Sequence, residues 1–240
     1  MRDVDVVYHI AAQPGVRASW GPYFTDYVRH NIMATQRLLE ASAGAHLRKF
    51  VYASSSSIYG EAETFPTSED VIPRPVSPYG VTKLAAEHLC ETYRRSGAVE
   101  TASLRLFTVY GPRQRPDMAF SRLIEASMNG TEFERYGDGE QTRDFTYVGD
   151  VVRAFRACGE GDWTGVANVG GGARTSLNEV IRIVGSLARP VSVRPAGPQR
   201  GDVRHTAADI SLAKKAFGWT PLTSIEDGLR LMVSEATGAR

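Results

Sequence analysis

Tyr79 and Lys83 stand four residues apart in Ser77-Pro78-Tyr79-Gly80-Val81-Thr82-Lys83. On a helix that spacing puts both side chains on one face, where an ammonium can stabilise a phenolate. An unperturbed tyrosine titrates near ~10, so one that takes a proton at neutral pH needs a lowered pKa, and a fixed cation nearby can lower it. Upstream, Ser54-Ser55-Ser56-Ser57 follows the apolar run Phe50-Val51-Tyr52-Ala53 and precedes Ile58-Tyr59-Gly60. That framing describes a buried parallel strand ending in a polar loop, the place where open α/β sheets hold their ligands. A serine hydroxyl delivered there would hydrogen-bond the same reacting oxygen as the tyrosine. Taken alone, the Tyr-Lys pair reads as an ordinary surface contact, and the serine run is what changes that reading.

The elements needed to position these groups alternate along the chain. Residues 4–10 form a short apolar run, residues 23–43 carry helical apolar spacing, residues 49–54 read as a strand, 79–95 as a helix and 101–107 as a strand. Strands alternating with helices imply βα units with right-handed crossovers, hence a doubly wound, mostly parallel sheet. Beyond Gly111 the pattern predicts helices over 117–129, 151–157, 177–187, 211–217 and 225–236, with extended segments at 142–148 and 166–169. The stretch 189–202, which contains proline and glycine, is assigned no element. The simplest architecture is a sheet domain whose later excursions build a small lid over the C-terminal strand edge.

Composition narrows the function. Apolar residues make up 42% of the 240 residues and charged ones 23%, with a net charge of +1. That balance suits a globular core and gives no basic face for a nucleic acid, nor a membrane-surface helix. Only Cys90 and Cys158 occur, without Cys-x-x-Cys spacing, and His9, His30, His46, His88 and His205 are scattered, so neither a disulfide framework nor a metal site is expected. No apolar run approaches the ~18 residues of a membrane span, and a reducing cytoplasm is the default location.

Together these residues resemble the extended short-chain dehydrogenase/reductase family, specifically its NAD-dependent nucleotide-sugar epimerases and dehydratases. The resemblance runs from residue 4 almost to the end. It rests on His9-Ile10-Ala11-Ala12-Gln13, Asn31, the segment 54–60, Tyr79-x-x-x-Lys83, Leu104-Arg105-Leu106-Phe107-Thr108-Val109-Tyr110-Gly111-Pro112, Arg143-Asp144-Phe145-Thr146-Tyr147-Val148 and Arg200-Gly201-Asp202. It implies a Rossmann-like fold, with residues 1–110 as a partial NAD-binding domain and 111–240 mostly binding the nucleotide sugar while some segments return to the sheet. NAD would take hydride from C4 of the hexose while Tyr79 removes the C4 hydroxyl proton and Ser55 steadies that oxygen. Lys83 would bridge the nicotinamide ribose, with Ala11, Ala12, Gln13, Asn31 and Ser54 completing the cofactor side. Arg143, Arg200 and Asp202 fall where the diphosphate-sugar is held, and arginine's planar fork suits a diphosphate. The resemblance also implies a homodimer formed by the helices 23–43 and 79–95, with Leu38, Leu84 and Leu89 available for contact.

Within that family, dehydratases carry acidic groups just after the catalytic hydroxyl. Here those positions are Ser56 and Ser57, which favours epimerisation over 4,6-dehydration. Thr108, where many members have asparagine, together with 13–17 and 115–119, is most similar to UDP-glucuronate 4-epimerases. The hydroxyls of Ser55, Ser56, Ser57 and Thr108 would cradle a C6 carboxylate while Arg17 and Arg115 balance charge. A dehydratase or reductase, or a non-catalytic nucleotide-sugar-binding remnant, stands as the alternative.

One departure matters. The family opens with a Gly-x-x-Gly-x-x-Gly turn between its first strand and helix, cradling the NAD pyrophosphate. This sequence contains no such opening, and residues 4–10 match what is the fourth strand of the family fold, so the resemblance implies that roughly 60–70 residues of the first mononucleotide-binding half are missing. The chain is expected to bind NAD weakly and to have little activity by itself, whether it is a shortened chain, a mis-called start or a remnant.

Overall fold

The computed structural model describes residues 3–45, 47–197 and 199–238, so His46 lies outside the described residues. The chain enters through strand β1 (Val6–His9) and passes through α1 (Phe24–Tyr27), a π-helical turn (Val28–Met33) and α2 (Ala34–Ala43) to β2 (Lys49–Ser55). Helix α3 (Pro78–Arg95) leads to β3 (Thr101–Leu106) and the short β4 (Val109–Tyr110). There follow α4 (Ala119–Asn129), β5 (Glu132–Tyr136), β6 (Thr142–Asp144), β7 (Thr146–Tyr147), α5 (Val148–Glu160) and β8 (Gly165–Val169). The chain finishes with β9 (Arg174–Ser176), α6 (Leu177–Leu187), β10 (Ser192–Ala196), α7 (Ser211–Phe217) and α8 (Ile225–Thr237).

The central sheet has the order β1-β2-β3-β8, and every pairing in it is parallel. Alternate residues of its strands feed two cores, as the two-residue period of a strand requires. Val51, Ala53, Ala102, Leu104, Ala167 and Val169 face α5 and α7. Phe50 and Tyr52 face Leu39 of α2 and Ala86 and Cys90 of α3. Helices on both faces of a parallel sheet make this an α/β Rossmann-like fold. A third core, built from α4, α6 and α8 with Tyr110 and Phe133, belongs wholly to the part of the chain beyond residue 106. Among the described residues β1 pairs only with β2, leaving Tyr8 and Ile10 exposed along its other side.

Helical spacing over 23–43 predicts one helix, whereas the structure inserts the π-helical turn at Val28–Met33, with Asn31 buried in it. Such turns often mark functional positions. The parallel pair β5 and β10 is invisible to sequence pattern because each strand is short, polar and only partly buried. Pro195 is tolerated because β10 has a neighbour on one side only.

Candidate active site

Helix α3 begins where the chemistry is needed. Ser77 caps it, its hydroxyl accepting from the Gly80 amide at 3.1 Å, and Pro78 fills the first turn. This fixes Tyr79 beside the turn that follows β2. A Cβ on Gly80 would lie 2.5 Å from the Ser57 carbonyl oxygen, so only glycine lets the helix press this closely on the serine turn. Ser55 ends β2; its oxygen accepts from the Ser57 amide at 3.2 Å, and its hydroxyl is near enough to the Tyr79 phenol to favour the phenolate.

Lys83 lies one turn further along the same helix and is buried, its ammonium 4.4 Å from the centre of the Tyr52 ring. The structure departs here from the expectation that Lys83 depresses the tyrosine. The Tyr79 phenol is pushed above its ordinary pKa by burial, and what opposes that is the Ser55 hydroxyl and the Arg115 charge rather than Lys83. Lys83 itself is lowered to about 8 by burial, with Glu87 acting the other way. Desolvation wins because the ammonium points to an aromatic face, not to the phenolic oxygen.

The loop after β1 is held from behind. Asn31 accepts from the Gln13 amide at 2.7 Å and donates to the Gln13 carbonyl at 3.1 Å and to the Thr82 hydroxyl at 2.9 Å. Because Thr35 already donates to the Asn31 carbonyl, its hydroxyl accepts from His9 Nε2, 2.8 Å away. Burial lowers His9 to about 4, with the Lys83 charge adding to it, so the imidazole is neutral. Two residues expected on the cofactor thus face inward: Asn31 braces Gln13, and Ser54, buried, gives its hydroxyl to Glu87 at 2.5 Å. Ala11, Ala12 and Gln13 form the loop that Asn31 braces.

On the other side of Ser55 lie two adjoining cavities. The first, about 160 Å³, is lined by Ser56, Ser57, Thr108, Arg143 and Asp202 together with Val16, Val76, Ser77, Gly201, Val203 and Thr206. The second, about 540 Å³, shares Arg143, Asp202 and Val203 and adds Tyr136, Gln141, Gln199, Glu61 and Arg204 among others. Arg143 stands between them, donating to the carbonyls of Thr142 at 3.0 Å and Arg204 at 3.1 Å. Arg17 pairs with Asp202 at 2.8 Å and lies 4.4 Å from the centre of the Tyr136 ring. Arg200 stacks on Trp20 at 3.7 Å and lines neither cavity, and Arg115 pairs with Asp117 at 2.8 Å, also outside both. Sequence reasoning missed Tyr136, Gln141 and Gln199. The Arg135-Tyr136-Gly137-Asp138-Gly139 turn, an aromatic before spaced glycines, was the available signal.

The glycine run Gly170-Gly171-Gly172 cradles no ligand. Asp144 fills it, accepting from the Gly171 amide, and from Ala208 at 2.9 Å. Among the described residues no turn with spaced glycines joins a strand to a helix, no group of side chains could hold a metal ion, and no helix is long and apolar enough to cross a membrane.

Residues 1–170 match the NAD dependent epimerase/dehydratase family. The chain is 45% identical over 232 residues to YtcB of Bacillus subtilis (strain 168), named as an uncharacterized UDP-glucose epimerase, covering 95% of this chain and 73% of that protein. It is 40% identical over 235 residues to a UDP-glucuronate 4-epimerase of Thermodesulfobacterium geofontis (strain OPF15), covering 96% and 72%. The crystal structure of a Bacillus cereus UDP-glucuronic acid 4-epimerase in complex with UDP-glucuronic acid and NAD superposes with a TM-score of 0.95 at 44% identity, covering 99% of this chain and 77% of that one.

Proposed function

The chain belongs to the NAD dependent epimerase/dehydratase family, and on that premise we propose that it inverts C4 of UDP-glucuronate. The observation that carries the proposal is the start of α3, capped by Ser77 and pressed through Gly80 onto the serine turn, which sets Tyr79 beside a cavity lined by Ser56, Ser57, Thr108 and Arg143.

Tyr79 takes the proton of the C4 hydroxyl, and Ser55 donates to that oxygen as charge develops on it. NAD, when bound, supplies reversible hydride acceptance at C4. Its nicotinamide side suits the residues present: Lys83 is a buried ammonium that makes no hydrogen bond or ion pair among the described residues and would donate to a ribose hydroxyl, and Gln13 is braced by Asn31. With a cation beside Tyr79, the rise that burial imposes on the phenol is offset. The 4-keto sugar then turns over, its other face is reduced, and Tyr79 returns the proton to the C4 oxygen. Arg143, with Arg17 and Asp202, grips the diphosphate side, and Arg200 and Arg115 reach it only after leaving Trp20 and Asp117.

Ser56, Ser57 and Thr108 donate to the C6 carboxylate. None of them can protonate a C6 leaving group, so dehydration is disfavoured. A neutral UDP-hexose is the second reading, favoured by the Asp202 carboxylate in the same cavity, although Arg17 already neutralises it. The residues beyond 110 act as a lid through the 199–206 segment, which lines both cavities. We read the exposed Met33 and Val81, on the two helix segments, as the contact of a homodimer; Leu38, Leu84 and Leu89 pack instead against the cores of one subunit.

The substrate claim is tested by Thr108→Val. Losing a donor to a buried carboxylate costs ~1.5–3 kcal/mol, so kcat/KM should fall about tenfold or more for UDP-glucuronate and much less for UDP-glucose. Equal losses on both sugars would return Thr108 to a structural role.

A further inference from the structure

Behind Ser55 and Lys83 runs a buried polar chain that the reaction as described does not use. Glu87 accepts from the Ser54 hydroxyl at 2.5 Å and pairs with Arg105 of β3 at 2.8 Å. Arg105 also donates to the Tyr59 hydroxyl at 2.7 Å and to the Glu69 carbonyl at 3.1 Å, and Tyr59 passes the chain to Asn168 of β8 at 2.7 Å. Glu87 and Arg105 are 3% and 7% exposed. A buried ion pair is a poor source of net stability beside a well-packed apolar pair of the same volume, so its presence points to a demand for geometry or charge.

Both demands lie next door. Ser54 is the residue before Ser55, and Glu87 is one helical turn after Lys83, on the same face of α3. We infer that Glu87 is a positioning residue, a buried carboxylate that clamps the end of β2 carrying Ser55 against α3 and provides the counter-charge for the Lys83 ammonium. Its importance for turnover rests on the role proposed above for Lys83. The groups that face Lys83 are His9 from β1, Tyr52 from β2, and Glu87 and Cys90 from α3. His9 is neutral, and burial holds the Tyr52 phenol and the Cys90 thiol well above their ordinary pKa values, so at neutral pH Glu87 is the one anion in that set. Arg105 pairs with Glu87 from the side of the sheet, so one carboxylate is shared between two cations.

Lysine is rare in this chain, occurring only as Lys49, Lys83, Lys214 and Lys215, so side-chain NMR of ¹³C,¹⁵N-lysine-labelled protein resolves each one, with Lys83→Met assigning the signal. The measurement needs neither cofactor nor turnover. In Glu87→Gln, which keeps the shape and loses the charge, the Lys83 titration midpoint should move down by at least about half a pH unit. Ser54→Ala, which cuts the clamp and keeps the charge, should leave it in place. Where Glu87→Gln does not fold, Glu87→Gln with Arg105→Gln, which strands no charge, is read in the same way. A midpoint unmoved in the folded variant overturns the inference. In the cofactor-loaded protein the alkaline limb of kcat should shift by the same amount with KM unchanged. If turnover proves indifferent to Lys83 while the midpoint still moves, the proposed mechanism fails and the electrostatic role of Glu87 stands.

Discussion

The two walls of the site are built by opposite means. On the sheet side, Tyr79, Ser55 and Lys83 rest on the buried Glu87–Arg105 pair, to which Ser54 donates, and on the aromatic floor of Tyr52. On the far side, the 199–206 segment bridges to Thr142 through its backbone, and its side-chain ion pairs are open to water: Arg17–Asp202, at 46% and 35% exposure, and Arg204–Asp138, at 61% and 53%. Exposed pairs are worth ~0–1 kcal/mol and are screened by salt, whereas a severed buried pair strands a charge in low dielectric. The reacting groups are therefore held in one geometry, while the ion pairs on the wall that meets the diphosphate can break at little cost.

That contrast can be broken at its strongest point first. Tyr79→Phe keeps the ring packed against Tyr27 and removes the proton acceptor, so kcat of the cofactor-loaded protein should fall at least ~10²-fold with substrate affinity nearly unchanged. Near-normal turnover would take Tyr79 out of the chemistry.

The inner wall should also carry the acid sensitivity. His9 titrates near 6.5 when unfolded and at about 4 in the fold, so between those values the unfolded chain binds the extra proton. Stability is then complete above pH 6.5 and is lost as pH falls towards 4, by roughly 3 kcal/mol from this group alone. His9→Gln should flatten that part of the curve in urea titrations. An unchanged slope between pH 6.5 and 4 would assign the acid loss to other groups.

The outer wall should be nearly silent. Arg17→Ala should change thermal stability by no more than ~1 kcal/mol, while raising KM for the UDP-sugar and making it less sensitive to salt. A stability loss as large as that of a buried pair would erase the distinction between the walls.

How much of this was legible depends on the same distinction. Tyr79, Lys83 and the serine run could be read because they sit on regular elements: α6 and α7 occupy the very residues that helical spacing marks out, and α3 begins one residue before the predicted start. In the fold, Ser56, Ser57, Thr108, Arg143 and Asp202 line one cavity. What failed was direction. Asn31 and Ser54 point into the protein because partners distant in sequence, Gln13, Thr82 and Glu87, claim their hydrogen bonds. The effect of Lys83 on Tyr79 was misjudged because helical spacing brings two residues to one face without saying where a long side chain ends. Arg200 and Arg115 show the same limit, each held by a neighbour, Trp20 and Asp117, away from the cavities.

The most direct measurement follows the C4 stereocentre itself. The protein would be incubated with NAD and UDP-glucuronate, and the sugar monitored by proton NMR through the coupling at H4. The account predicts conversion to UDP-galacturonate up to a fixed equilibrium ratio, dependent on NAD and abolished in Tyr79→Phe. A protein that binds NAD and UDP-glucuronate yet leaves C4 unchanged, or inverts it equally well without Tyr79, would contradict it.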